Sequence, residues 1–162
     1  MTAISTPDLA DDNPEVRALQ LQFRSFGQRA GFHGPAVTIK CHEDNSVVKE
    51  TVNQPGEGRV LVVDGGGSLR CALLGDLLAA AASANGWAGV IIDGAVRDVD
   101  EIDAIDIGVK ALGSIPLRST RVGAGQRDLP ISIGGVDITP GDYIYADRNG
   151  VIVSSAPLIP VQ

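Results

Sequence analysis

The chain has 162 residues, a formal net charge of −7 and a pI near 4.6, so it offers no general basic field for a nucleic-acid backbone. Hydrophobic residues make up 44% but aromatics only 4%, which predicts one domain (1–162) with a core of Val, Ile, Leu and Ala. Cys41 and Cys71 are isolated from each other and from His, which excludes a structural zinc motif and predicts reduced thiols.

The start, MTAISTPDLADD, has neither the basic nor the apolar region of a secretory leader, and no run approaches the ~18 apolar residues of a membrane span. A soluble, cytoplasmic protein is expected, ordered except at its first few residues and in the tail SSAPLIPVQ. Residues 6–12 read as a short helix capped by Thr6, with Pro7 at its first position. Residues 34–41 alternate as a strand. Over 43–54 the apolar Val47, Val48 and Val52 share a helical face, and Pro55-Gly56 stops the helix.

RVLVVDGGG (59–67) reads as a buried strand ending in a glycine turn, followed by a helix from Asp76 to Asn85 closed by Gly86. With the strand AGVIID (88–93), this predicts a right-handed βαβ unit. A short acidic helix (98–106) and a strand (108–115) come next. Beyond them, Gly134-Gly135 marks a tight hairpin, and Asn149-Gly150 turns a second pair of strands. Mixed α/β structure is thus expected first and antiparallel β in the last third.

The spacing that carries chemistry joins Gly75-Asp76-Leu77-Leu78 to Arg97-Asp98. Twenty residues separate Asp76 from Arg97, about one βαβ crossover. Free amides at a helix start suit a carboxylate or phosphate, and Arg97 can grip the same anion in bidentate fashion. Asp98 can hold a hard divalent cation. Each residue also has a purely structural reading. Asp76 can be an N-cap, and Asp98-x-x-Glu101 is a capping-box pattern for the acidic helix. Arg97 favours the functional reading, because a cation just before a helix start opposes the dipole.

Other candidates carry less. DGGGS (64–68) has the look of a nucleotide or S-adenosylmethionine loop, but lacks the G-x-G-x-x-G spacing, a helix directly after it, and an acidic ribose partner on a second strand. His42-Glu43-Asp44-Asn45 reads as caps and a solvated turn rather than a metal cluster. Cys71 has no His nearby in sequence to activate it as a nucleophile, and no lysine lies between Gly75 and Asp98 to form a Schiff base.

Several segments together resemble one family. FRSFG (23–27), GPAVTIKCHEDNSVVKE (34–50), RVLVVDGGGSLRCALLGDLLA (59–79), GAVRDVDEIDAIDIGV (94–109) and GGVDITPGDYIYADRNGVIVS (134–154) are similar to the family of the regulator of ribonuclease activity A. That family includes the class II 4-hydroxy-4-methyl-2-oxoglutarate aldolases. The resemblance implies a swivelling β/β/α fold and a ring-like homotrimer, stacked in some members into a hexamer. It implies that Gly75, Asp76, Leu77, Leu78 and Arg97 hold the pyruvyl end of a small 2-oxo acid. Asp98 would ligate Mg²⁺ or Mn²⁺, with Asp76, Arg97 and Asp98 forming the catalytic set.

On that resemblance the expected activity is metal-assisted lysis through a pyruvate enolate, in retro-aldol cleavage or oxaloacetate decarboxylation. The dedicated aldolases carry a C-terminal extension that supplies an acidic residue to a neighbour's site. This chain ends soon after its last strand, so decarboxylation is the expectation that asks less of the site. The competing expectation is a protein-binding regulator that docks on a ribonuclease E-like enzyme. A third, methylation of demethylmenaquinone, rests on the glycine turn alone.

Overall fold

The computed structural model describes residues 3–159. Helix α1 (Thr6–Asp12) is followed by β1 (Arg17–Ala18), β2 (Arg24–Phe26) and β3 (Phe32–Lys40). Next come α2 (Ser46–Val52), β4 (Val60–Asp64), β5 (Ala72–Leu74), α3 (Asp76–Ala84) and β6 (Gly89–Val96). The chain continues through α4 (Val99–Asp103), β7 (Gly108–Ser114), β8 (Gln126–Arg127), β9 (Ile131–Ile133) and β10 (Val136–Ile138). It finishes with β11 (Tyr143–Asp147) and β12 (Gly150–Ser154).

These elements make one mixed sheet in the order β1-β12-β11-β3-β4-β6-β7-β2, with β5 beside β6, β8 beside β3, and a separate β9-β10 hairpin. Strands β3, β4, β6 and β7 run parallel, whereas β11 joins β3 antiparallel. The α/β part and the antiparallel part expected from the chain are therefore halves of a single sheet.

Alternation along the parallel strands fills two cores. Val37, Ile39, Leu61, Val63, Val90 and Ile92 face α2, α3 and α4, which contribute Val48, Val52, Leu78, Ala79, Ala82 and Ile102. The opposite side chains, among them Ala36, Val60, Val62 and Ile91, meet the β9-β10 hairpin and the inner faces of β11 and β12. The layers are thus helix, sheet and second β layer, a mixed α+β fold of β/β/α form. Both faces of the central strands are covered, which is why RVLVV reads as a continuous apolar run.

Local corrections arise from partners distant in sequence. Ser5, not Thr6, caps α1 through its Oγ. Thr6 is buried, and both its N–H and its hydroxyl donate to the Asp147 carboxylate. The helix expected over 43–54 is shorter, because residues 41–45 are tied to other loops. The last hairpin turns at Arg148-Asn149, with Gly150 opposite Asp147, one residue earlier than the glycine suggested. The tail is held as far as Leu158, whose N–H donates to Tyr145 Oη at 2.7 Å; the rest of the segment expected to be loose, residues 160–162, lies outside the described residues. Among those described, no helix is long and apolar enough to cross a membrane.

Candidate active site

The parallel strands all deliver their carboxyl ends to one edge, where ligands of open α/β sheets are usually bound. Strand β6 has a register irregularity between Ile92 and Ala95 against β7. A bulge of this kind bends the strand and re-aims the residues beyond it. Here it re-aims Arg97-Asp98, and β5, absent from the sequence expectations, lies alongside as a short parallel partner. The Arg97 N–H donates to Leu74 O at 3.0 Å, which fixes the arginine beside the start of α3.

Asp98 stands at the N-cap position of α4, yet its side chain makes no capping bond there. Its backbone is left-handed, with φ +57° and ψ +47°, a conformation uncommon for a residue with a Cβ. The carboxylate turns instead to α3: Oδ2 accepts the Asp76 N–H at 3.0 Å. The capping-box reading of Asp98-x-x-Glu101 is thereby overturned. Asp98 caps a helix, but a different one, 22 residues away in sequence.

Gly75 occupies the N-cap position of α3, and Asp76 is its first helical residue, so the expected cap role of Asp76 moves one position. Asp76 Oδ1 accepts from the Leu77 N–H at 2.8 Å. Two amides that the sequence offered to a ligand are therefore already engaged by carboxylates. A Cβ at position 75 would lie 2.6 Å from Asp98 Oδ2, so the close approach requires glycine.

Arg97, Asp98 and Val99 line a cleft of about 320 Å³, closed on its other side by Ser114, Ile115 and Pro116 at the end of β7. Arg97 and Asp98 are half-buried, and the one hydrogen bond of the guanidinium within the described residues is a long contact from Nη1 to Pro116 O, 3.4 Å. Its remaining donors are available to an anion. Leu78 is buried beneath α3, whereas the Leu77 side chain is 79% exposed and its amide is taken by Asp76.

A divalent cation fits this donor set in one way. No group of three His, Cys, Asp or Glu side chains converges among the described residues. Asp98 keeps Oδ1 free while Oδ2 is held, and Mg²⁺ characteristically accepts one or two carboxylates with water in its other positions. Asp98 is thus the residue that would hold it.

The segment 42–45 is a correction. It was expected as caps and a solvated turn. Asp44 does accept the Ser46 N–H at the start of α2, but Asp44 and Asn45 are buried and tie the turn to β5 and to the loop after β7. Asp44 accepts from Ser46 N and Val122 N, and Asn45 Nδ2 donates to Leu73 O. Burial acts upward on the Asp44 pKa, but the hydrogen bonds from Ser46, Val122 and Ala124 outweigh it and leave it lowered to about 2. Glu43, held left-handed at φ +55°, accepts from Ser68 Oγ and forms a two-pronged pair with Arg70. The Arg70 and Ser68 bonds lower its pKa to about 2.

The glycine turn also differs from expectation in one respect. Asp93 on β6 stands in register with Asp64 on β4, so an acidic residue does occupy the second strand. Burial, and then the Asp64 charge, push its pKa up. The turn nonetheless runs into β5 rather than into a helix, so it presents no helix N-terminus to a phosphate. Cys41 is buried, and burial and then the charge of Asp44 push its thiol up to about 12. Burial also raises the Cys71 thiol, which is only half-buried.

The RraA-like family model, described as Aldolase/RraA, matches residues 6–153. A protein of Pseudomonas syringae pv. tomato is 57% identical over 154 residues, covering 94% of this chain and 95% of its own length; one of Ectopseudomonas mendocina is 56% identical with the same coverage. Both bear the name "Putative 4-hydroxy-4-methyl-2-oxoglutarate aldolase". Among solved structures, an RNA-processing inhibitor RraA from Thermus thermophilis superposes with TM-score 0.94 at 43% identity, covering 99% of this chain and 98% of that one. A Geobacillus kaustophilus structure described as an S-adenosylmethionine:2-dimethylmenaquinone methyltransferase gives 0.92 at 46%, covering 96% and 97%.

Proposed function

The chain belongs to the RraA-like, Aldolase/RraA family, and from that premise we propose that it is a divalent-metal-dependent lyase acting on small 2-oxo acids. Retro-aldol cleavage of 4-hydroxy-4-methyl-2-oxoglutarate and decarboxylation of oxaloacetate are the two reactions in view. The observation that carries the reading is Asp98: a left-handed residue whose carboxylate ignores its own helix and is fixed by the Asp76 N–H beside Arg97. Unusual backbone conformations held by their surroundings concentrate at functional sites.

In this reading Arg97 receives the substrate carboxylate with the guanidinium donors that the protein leaves unused, and the cleft formed with Ser114–Pro116 sets the orientation of the ketone. Asp98 would hold Mg²⁺ or Mn²⁺, and the cation would supply Lewis-acid polarisation of the keto oxygen. Breaking the C–C bond two carbons from the carboxylate leaves the electron pair on the pyruvyl fragment as an enolate, which takes a proton from water to become pyruvate. The departing group is CO₂, or in the aldol case a second 2-oxo acid formed as the C4 hydroxyl gives its proton to water. Arg97 and the dipole of α3 favour the negative charge that remains. A titration with Mn²⁺ followed by water-proton relaxation tests the metal assignment: enhancement by the native protein and its loss in Asp98→Asn are expected. Equal enhancement by the two proteins would overturn it.

Assembly of several copies belongs to the same proposal. Leu69, Leu77, Leu117 and Val122 are at least half exposed, and all lie on segments at the carboxyl edge of the parallel strands. Large apolar side chains concentrated around a site suit burial by another copy, and a homotrimer or hexamer is the form implied by family resemblance.

A second reading, binding and inhibition of a ribonuclease E-type enzyme, is favoured by the net charge of −7 and by the likeness to the Thermus RNA-processing inhibitor. Retention on the host ribonuclease at low salt, weakened as salt rises, supports it. No retention at low salt counts against it.

A further inference from the structure

A larger cavity, about 390 Å³, lies at the amino ends of β3 and β6, the opposite end of the parallel strands from the Arg97–Asp98 cleft. Ile4, Ala30, Phe32 and Ala88 give it an apolar wall, and His33 and Arg148 bring polar groups to it. The carboxylate in its lining, Asp147, is fully engaged by the Thr6 N–H, the Thr6 hydroxyl and the Asn149 N–H. Arg29 is likewise committed, in a two-pronged pair with Asp106. Arg148 forms no ion pair among the described residues.

Behind the wall stands Lys110, 1% exposed. Its Nζ donates to Ser25 Oγ at 2.6 Å and to Ala30 O at 2.9 Å, and Ala30 is itself part of the cavity lining. No carboxylate of the described residues lies in ion-pair contact with this ammonium. Burial lowers its pKa, and the more distant charge of Asp147 opposes that shift. A buried cation without a contacting anion is costly to keep.

We propose that this cavity binds a small organic monoanion with a compact apolar body, its carboxylate facing Arg148 and His33 and its body against Phe32, Ala30 and Ala88. The pairing of an apolar surface with a few convergent polar groups is the usual composition of a small-molecule site. The uncommitted charge selects an anion over a neutral ligand of the same shape. None of the residues involved belongs to the Arg97–Asp98 site, so the two proposals stand or fall separately.

Hexanoate and hexan-1-ol are the probes, titrated into the full-length protein and followed by methyl NMR with labelled Ala and Ile. Hexanoate is expected to shift the Ile4, Ala30 and Ala88 methyls saturably, with hexan-1-ol weaker by about tenfold. Arg148→Gln and His33→Gln should each weaken hexanoate by roughly fivefold, with methyls elsewhere unmoved and pyruvate release unchanged. Shifts confined to Ile115 at the Arg97 cleft, no saturable shift, or equal binding of the alcohol would overturn the proposal.

Discussion

Asp98 accepts a hydrogen bond at 3.0 Å from the backbone N–H of Asp76, so one carboxylate both closes the start of α3 and faces the cleft beside Arg97. On the proposed function, its two oxygens are divided between structure and chemistry. Removing the side chain should therefore have two separable effects. Asp98→Ala is expected to lose about 1 kcal/mol of stability, the usual worth of a helix cap. Asp98→Asn keeps an oxygen for the Asp76 N–H and should recover most of that loss. Thermal or denaturant unfolding of both variants reads the structural part, and neither should restore metal binding.

Gly75→Ala tests the same contact from its other side. The added Cβ would sit 2.6 Å from Asp98 Oδ2, too close for the carboxylate to remain. At an N-cap position, exchanging Gly for Ala also disfavours the helix start. Pyruvate release should fall by at least about tenfold, corresponding to ~1.4 kcal/mol in the barrier. Unfolding should show a folded, cooperative protein. Native activity in the variant would mean that the tight approach is not needed.

Acid should loosen the loop junction below the site. With a folded pKa of about 2 against an ordinary 3.8, Asp44 takes up protons more readily when unfolded. Its contribution is complete above about pH 4 and is lost as pH falls toward 2. Asp44→Asn should cost about 2 kcal/mol at pH 7, since it places an amide against the Val122 N–H. The difference from the native protein should shrink steadily toward pH 2. A constant difference across that range contradicts this account of the 41–45 segment.

The Cys41 thiol should be slow. With Cys41 buried and pushed up to about 12 by burial and nearby carboxylates, very little of its thiolate exists at pH 8. Iodoacetamide should label the half-buried Cys71 first and Cys41 only as the protein unfolds. Rapid native labelling of Cys41 would contradict the packing.

Leu77 is 79% exposed on the first turn of α3, so Leu77→Asp should leave the fold of one chain intact. In the proposed assembly it buries a charge instead. A native mass of several chains that falls to one chain in the variant is the expected sedimentation result. A single-chain mass for the native protein would refute the assembly.

Much of this was legible because the relevant patterns are local. RVLVV and AGVII are long apolar runs, Gly86 and Gly134-Gly135 are unambiguous stops and turns, and the Arg97-Asp98 dipeptide comes directly after a strand. The failures share one physical cause. Asp98-x-x-Glu101 satisfies the local capping pattern, yet the winning partner is the amide of Asp76 across a strand crossover. Asp44 and Asn45 look like turn residues until β5 and the 119–124 loop close over them. Strand β5 has three residues, too few for periodicity, and it takes the edge of β6 that β4 leaves free beyond the Asp64–Asp93 pair. Each depends on a pairing that no short window contains.

The central claim, that Asp98 serves metal-assisted cleavage beside Arg97, is tested most directly by pyruvate release from oxaloacetate. Release is coupled to lactate dehydrogenase, with Mg²⁺ or EDTA, against a protein-free blank that corrects for decarboxylation by Mg²⁺ itself. The account predicts metal-dependent release by the native protein, abolished by EDTA and reduced to the blank in folded Asp98→Ala. Native release equal to the blank, or full activity in the variant, would contradict it.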